Sequence, residues 1–454
     1  MLVPILVFAC VAFVFYRTSD CTSCTFRPET YKYDFSNQRV KLVSVAVRNG
    51  KLTLPDFAAS NTSFLKLNAT PSWMAYFFAP RIHLQVGSKV NSQYFNGFFS
   101  GPVYVDISQM QESGSELTLS LTNLQVPDQQ AEVMLFEEGN PLVQRVLVLA
   151  PHPDDAEIAA YGLYSKAGDV YIATVTAGDG GPFRYRHLCQ SASACSLLKG
   201  SVRAVDSLKA AALGGVPVDH MLNLGFPDGQ LSAMYAARQN PTPATPEQLA
   251  RLSHFRRSNT SELRKSLADG SDWEALVLSL EHVLSRLQPD VIVTPHPNLD
   301  DHPDHILTTL AVTEAARRVG LKRGRLFLYT NHFSEVPTYP FGPAGSLVSL
   351  PPTTGKRNFF RGIYSVSLNA AEQGYKHLSL ESMFDLRTTV EPLDWKGALA
   401  RTGQAIWREL TRPNTSYFRR AVRANELFLV VDMADVYDDP DFNTFLPYAN
   451  PDQY

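Results

Sequence analysis

Residues 145–181 read RVLVLAPHPDDAEIAAYGLYSKAGDVYIATVTAGDGG. The apolar run Val146 to Ala150, closed by Pro151, has the pattern of a strand buried on both faces. His152, Pro153, Asp154 and Asp155 follow at its end. Ala156 to Ala167 has helical character, with Gly168 placed to terminate it. Val170 to Thr176 is a second β-rich run, ending in the glycine turn Ala177 to Gly181. This is a strand-loop-helix-strand unit of a parallel sheet, with its polar residues at the carboxyl edge, where such sheets bind ligands. A distant segment repeats the arrangement: a buried-strand pattern from Pro289 to Pro295, the loop Asp300-Asp301-His302-Pro303-Asp304-His305, and a helix from Ile306 to Val319 stopping at Gly320.

If the two strands are neighbours, both polar loops reach one edge of one sheet. A catalytic zinc takes three protein ligands from histidine and carboxylate and keeps one position open. His152, Asp155 and His305 can supply those ligands, leaving Asp154 beside the metal as an unligated carboxylate. The plain alternative is that both loops merely start helices, because Asp caps a helix and suits its positive end. Two such loops in matching contexts weigh against it.

PHPDDAE at 151–157 and HPDH at 302–305 resemble the signature pair of the LmbE/PIG-L family of zinc-dependent N-acetylglucosaminyl de-N-acetylases. Thr176 to Gly181 resembles the family's threonine-glycine turn. Arg203, Asp206 and Leu213-Gly214 resemble its Arg-x-x-Glu…Leu-Gly helix, with Asp206 standing where Glu is usual, and Phe226 to Gly229 resembles its Asp-Gly turn. The resemblance runs from Arg145 to Tyr329, and more loosely to the C-terminus. It implies a doubly wound, Rossmann-like, mostly parallel sheet with helices on both faces, and Zn2+ as cofactor. It also makes Arg203 a substrate clamp; a salt bridge to Asp206 is the alternative. Asp228 is a candidate for binding a substrate hydroxyl, or simply a turn residue.

Amide hydrolysis needs an activated water, a place for the oxyanion and a proton for the leaving amine. Asp154 suits the general base, and His302 the group that stabilises the oxyanion. Asp304 is then placed to fix the His302 ring, as carboxylates do for histidine. Plain helix capping is the other reading of His302 and Asp304.

The chain has 454 residues, 44% hydrophobic and 19% charged, which is an ordinary globular composition. A formal net charge of −3 offers nothing to a polyanion, so nucleic acid is not an expected partner. The apolar run Leu2 to Tyr16 is short for a span and long for the core of a signal peptide. With no clear cleavage site after it, residues 1–20 read as an uncleaved membrane anchor. Arg17 and Arg27 favour a cytoplasmic body. The local pairs Cys21/Cys24 and Cys189/Cys195 favour disulfides and an oxidising compartment, and the balance leans to an extracytoplasmic body.

Residues 31–140 carry short strand-like runs, among them Val40 to Val47, Ile82 to Val86 and Glu116 to Leu121, which predict an antiparallel β-sandwich. The aromatics Trp73, Tyr76, Phe77, Phe78, Tyr94, Phe95, Phe98 and Phe99 are either its core or a sugar-binding platform. The boundary is expected within Pro127 to Pro141, and a deacetylase domain occupies 145–454. In that domain Pro182 to Lys199 reads as a long substrate-wall loop holding Arg184, Arg186 and His187. Ser201 to Leu213 reads as a helix, Pro241 to Ser271 as a surface insertion, and Trp395 to Leu410 as a late helix. His332, His377 and Glu426 are taken as structural. The functional expectation is removal of an N-acetyl group from an N-acetylhexosamine in a membrane-linked glycan or glycolipid. A catalytically inactive glycan-binding protein and a zinc amidase acting on a non-sugar amide are the alternatives.

Overall fold

A computed structural model describes residues 31, 33–55, 62–76, 78–97, 99, 101–181, 183, 185–333, 336, 338–353, 358–386 and 420–447. The expected anchor, Cys21 and Cys24, Phe77, Phe98, Arg184 and the helix at 395–410 lie outside these residues. No helix among the described residues is long and apolar enough to cross a membrane.

The described chain opens on β1 (Val40–Val47), β2 (Lys51–Thr53), β3 (Thr62–Pro71), β4 (Arg81–Val86), β5 (Lys89–Tyr94), β6 (Gly101–Asp106), β7 (Glu116–Thr122), β8 (Leu124–Gln125) and β9 (Gln129–Phe136). One sheet has the order β1-β9-β3-β6 with β8 on β3, and the other β2-β7-β4-β5; every pairing is antiparallel. Alternate residues face inward, so Leu65, Leu67, Ile82, Leu84, Leu117 and Val133 fill one core between the sheets. Phe95 and Phe99 belong to that core, whereas Trp73 and Phe78 are exposed. β9 falls inside the stretch expected to be a boundary, which confines the connection to residues 137–144.

The second body is a seven-stranded sheet of β10 (Arg145–Ala150), β11 (Asp169–Thr176), β12 (Met221–Phe226), β13 (Val291–Pro295), β14 (Arg325–Tyr329), β15 (Gly362–Ser367) and β16 (Asn425–Asp432), ordered β12-β11-β10-β13-β14-β16-β15. The first five are parallel, and β16 and β15 close the far edge antiparallel. Both faces are covered, as an all-parallel core requires. Leu147 and Leu149 face one layer, Val146 and Val148 the other. On the first side lie α5 (Trp273–Leu287) and α6 (Pro303–Val319); on the second lie α1 (Asp155–Tyr164) and α2 (Ala192–Leu213).

Several boundaries differ from the sequence expectation. Helix α2 starts at Ala192 with Ser191 as its cap, so it absorbs half of the expected loop. The surface insertion holds α4 (Pro246–Arg256), started by a Thr245/Gln248 capping box; a short α3 (Leu231–Ala236) precedes it. Helix α1 ends at Tyr164, and Gly168 instead donates its N–H to Leu142 O at 3.0 Å.

The interior of α1 is broken at Ala160, whose φ of −136° and ψ of 15° are not helical. The break strands the N–H groups of Gly162 and Leu163, and Glu426 accepts both, at 2.7 and 3.1 Å. The carbonyl of Ile158, which would have bonded Gly162, takes Lys376 Nζ at 2.8 Å instead. Lys376, on α7 (Ala370–Glu381), also bonds Glu426 Oε1 at 2.8 Å, and both side chains are almost wholly buried. A buried ion pair thus takes up the two amides the kink frees and the Ile158 carbonyl. Glu426→Ala should therefore destabilise the protein by about 3–5 kcal/mol, because it leaves the Lys376 ammonium buried without its counter-ion and two amides without their acceptor. Urea unfolding of the variant measures this, and an unchanged midpoint would deny the pair its structural role.

Candidate metal centre

β10 and β13 are adjacent and parallel, with Val146 beside Val291 and Val148 beside Val293. The chain turns outward to β11 on one side and to β14 on the other. The loops leaving β10 and β13 therefore part and open a crevice at the carboxyl edge, where open α/β sheets take ligands. The first loop is held by Thr176, whose N–H and Oγ1 both donate to Pro151 O, at 3.0 and 2.9 Å.

Three expected ligands converge in this crevice. His152 Nδ1 lies 3.2 Å from Asp155 Oδ2 and 3.2 Å from His305 Nε2, and His305 Nε2 lies 3.0 Å from Asp155 Oδ2. Donors about 2.0–2.2 Å from a tetrahedral metal sit roughly 3.3–3.6 Å apart, so the triangle is close to the size zinc needs. Each remaining donor atom is spoken for. Asp155 Oδ1 accepts from Asn331 Nδ2 at 2.8 Å. His305 Nδ1 meets Asp300 Oδ2 at 3.0 Å, and His152 Nε2 meets Asp228 Oδ1 at 3.2 Å and Asp304 Oδ2 at 3.3 Å. Both imidazoles thus have a carboxylate on the nitrogen that points away from the triangle, which fixes the tautomer as in metal-binding histidines. Two imidazoles and a carboxylate are a donor set that fits zinc.

A second grouping, His152 with Asp228 and Asp304, is also compact enough for a metal. Its carboxylates are already engaged by backbone amides. Asp228 Oδ2 accepts from Gly180 N at 3.2 Å, and the Asp304 oxygens accept from Gly229 N at 2.7 Å and Leu231 N at 3.3 Å. These bonds hold the turn after β12 against the site.

The helix-start alternative fails for the paired aspartates. Asp154 precedes α1 but makes no capping bond; its Oδ1 accepts from Arg203 Nη2 at 2.9 Å. Asp155 turns back to take the His152 N–H at 2.9 Å. Arg203 therefore pairs with Asp154 rather than with Asp206, which is buried and accepts from Phe384 N at 2.9 Å. His302 does cap α6, its Nδ1 accepting from Asp304 N at 3.2 Å. That bond leaves Nε2 as the protonated nitrogen. Asp304 is a correction: its carboxylate was expected on His302, but only its backbone N–H holds that ring, and the carboxylate serves His152. Asp228, a candidate for a substrate hydroxyl or a turn residue, stands against His152 in the crevice.

Electrostatics follow from this packing. Burial alone would raise Asp155, but His305 and His152 hold it well below the usual carboxylate range. Burial likewise opposes ionisation of Asp228, yet hydrogen bonding and attraction to His152, with Arg203, keep it at about 2. Burial and then the positive fields of His152 and His305 depress His302 to about 4, so it is a neutral donor. Burial pushes Glu157 up to about 8, and Tyr164 OH donates to it at 3.2 Å.

Three participants were not singled out from the sequence. Asp300 is fully buried and accepts from His305, from His302 N at 3.2 Å, and from the N–H groups of Asn331 and His332 at 2.9 and 3.1 Å. Asn331 steers Asp155, and the His332 ring, taken as structural, lies 4.8 Å from that of His305. The position of Asn331 and His332 just after β14, at the sheet's carboxyl edge, was the available signal. Arg186 and His187 are exposed, on a turn next to the Cys189–Cys195 disulfide.

A donor triangle of this kind, with an unligated carboxylate beside it at a sheet's switch point, is the working arrangement of a metal-assisted hydrolase. Residues 147–316 match the family model PIG-L, GlcNAc-PI de-N-acetylase. No curated protein sequence matches the chain. Among solved structures, the A40926 pseudoaglycone deacetylase is 15% identical, with 64% of this chain and 98% of that one covered and a TM-score of 0.35. A zinc-inhibited form of teicoplanin deacetylase is 16% identical, with 63% and 98% covered and a TM-score of 0.35. A 4-carboxy-2-hydroxymuconate hydratase from Pseudomonas putida is 14% identical, with 64% and 96% covered and a TM-score of 0.32. Overlaps this loose say nothing of chemistry, and the hydratase among them makes the point.

Burial would lower His305, but Asp155 and Asp300 outweigh it and push the ring up from 6.5 to about 9. In protein stripped of metal, the stabilisation from this charged pairing is complete below 6.5 and is lost as pH rises through about 9. Metal must displace that proton, so apparent zinc affinity should climb over the same window. Competition with a chromophoric chelator measures it, and a pH-independent affinity would remove His305 from the ligand set.

Proposed function

We propose that the protein removes the N-acetyl group from an N-acetylhexosamine in a membrane-linked glycan or glycolipid, using zinc held by His152 Nδ1, Asp155 Oδ2 and His305 Nε2. The observation that carries this reading is the donor triangle with Asp154 next to it in the chain, its carboxylate held by Arg203. A divalent metal held there supplies Lewis acidity, which makes a nearby water acidic and an amide carbonyl electrophilic at neutral pH.

The chain's own residues then handle protons and orientation. Asp154 accepts the proton of the attacking water, and Arg203 fixes the direction of its carboxylate. His302, neutral and held through Nδ1, donates from Nε2 to the oxygen on which negative charge develops. Asp154 returns its proton to the leaving amine. The Asp228 turn, fastened by Asp179 Oδ1 on the Asp228 N–H at 3.0 Å, forms the opposite wall. The membrane part of the reading, with an extracytoplasmic body, draws its support from the apolar run Leu2 to Tyr16 and from the Cys189–Cys195 pair. An inactive glycan-binding role is disfavoured because each group that hydrolysis needs is present and aimed.

Paired substitutions test the assignment. Asp154→Asn should keep a full equivalent of zinc while acetate release from an N-acetylhexosaminyl glycolipid falls about a hundredfold or more. Asp155→Asn should lose zinc first, with turnover partly restored by added metal. Loss of zinc in Asp154→Asn with retention in Asp155→Asn would exchange the two roles, and undiminished turnover in both would end the hydrolase reading.

A further inference from the structure

We propose that His332 is a fourth protein donor to the metal at this centre, an exchangeable ligand on the solvent side of the triangle. The inference rests on the metal-site reading above and adds to it a residue outside both sequence motifs.

The backbone that carries His332 is built into the site. Its N–H donates to Asp300 Oδ2 at 3.1 Å, and the N–H of Asn331 donates to the same oxygen at 2.9 Å. That oxygen also fixes His305, so one buried carboxylate orients a ligand and places the segment bearing the fourth ring. A ring nitrogen of His332 lies within 4.8 Å of donor atoms of both Asp155 and His305. The ring centroid stands 4.8 Å from that of His305 and 5.5 Å from that of His302.

His302 and His332 are the two further imidazoles beside the triangle, and their hydrogen bonding separates them. His302 is committed, since its Nδ1 accepts the Asp304 N–H that starts α6. Among the described residues the ring nitrogens of His332 have no hydrogen-bond partner, and the residue is exposed. An imidazole with both nitrogens unengaged, beside a buried carboxylate and an oriented imidazole, has an obvious use for one of them. A modest rotation brings it to the vertex that a three-ligand site leaves open. Since no hydrogen bond from the described residues fastens the ring, it can yield that vertex to an incoming substrate. The resting centre is thereby closed, and substrate entry opens it.

His332→Gln tests this in the full chain with zinc alone. The backbone bond to Asp300 survives the substitution, and the side chain is on the surface, so folding is retained. Chelator competition should show a zinc Kd about tenfold or more weaker than that of the wild type, in the range that lost metal-site support produces. X-ray absorption at the zinc edge should show one imidazole fewer in the variant. An equal Kd with an equal imidazole number overturns the inference while leaving the three-ligand centre standing. A weaker Kd without loss of an imidazole also overturns it, making His332 a support acting through Asp300. A wild-type protein that binds no zinc would instead overturn the proposed function, and this inference with it.

Discussion

Buried charge is the constraint to which the rest of this structure answers. Asp155, Asp300 and Asp304 are each 1% exposed and His305 is inaccessible, and ions so far from water persist only when paired and fully hydrogen-bonded. The pairing is complete. Asp300 takes four N–H donors, Asp304 takes two backbone amides and His152, and Asp155 takes His152, His305 and Asn331. These partners come from the ends of β10, β12, β13 and β14. Only a sheet that brings the carboxyl ends of those four strands to one edge can assemble them. The parallel order β12-β11-β10-β13-β14 is therefore as much a condition of the site as its histidines are.

The same logic reaches the back of α1. Asp154 and Asp155 stand at the first turn of a helix whose ladder is interrupted five residues later, at Ala160. Were the exposed amides left bare, the helix would straighten or fray, and the two aspartates would move with it. Glu426 and Lys376 prevent this from β16 and α7, so the antiparallel edge of the sheet secures the N-terminal half of the site. Gly162 is needed here, because a Cβ at that position would come within 2.6 Å of Leu368 and 3.1 Å of Glu426.

How much of this was legible in the sequence depended on how local each cause was. The strand Val146 to Ala150, the loop after it and the matching pair at 291–305 announce themselves, because two buried strands and two polar loops are short-range patterns. The alternation of apolar and polar runs then gives the doubly wound sheet. Causes that act over long separations left no such mark. The kink in α1 depends on an acceptor 264 residues away, and the role of Asp300 depends on β13 and β14 being neighbours. β3 and β9 were missed for a related reason. They lie at the middle of their sheet, and buried Thr62, Ser63 and Phe64 break the alternation that marks a half-exposed strand. The role expected of Asp304 failed on geometry: its neighbour in sequence is His302, but a residue in the first turn of a helix projects sideways, and there it meets His152.

The β-sheets ahead of the hydrolase body bear on the site through the chain that follows β14. That segment begins with Asn331 and His332 at the crevice, and then buries Phe333, Val336, Tyr339, Phe341 and Leu347 in the core shared by the two N-terminal sheets. Polar contacts close the same junction. Asp106 accepts from Ser365 Oγ at 2.5 Å and Asn425 Nδ2 at 2.8 Å, and Ser365 N donates to Thr62 Oγ1 at 2.8 Å, all out of contact with water. Burial of five large apolar side chains, at about 1.5–3 kcal/mol each, is far more than a tethered and independently moving module would share with its neighbour. The N-terminal sheets are thus a floor for the loop that carries the rim of the metal centre. Removing them would strip that loop of the apolar anchorage that begins at Phe333, leaving its start to the bonds of Asn331 N and His332 N to Asp300.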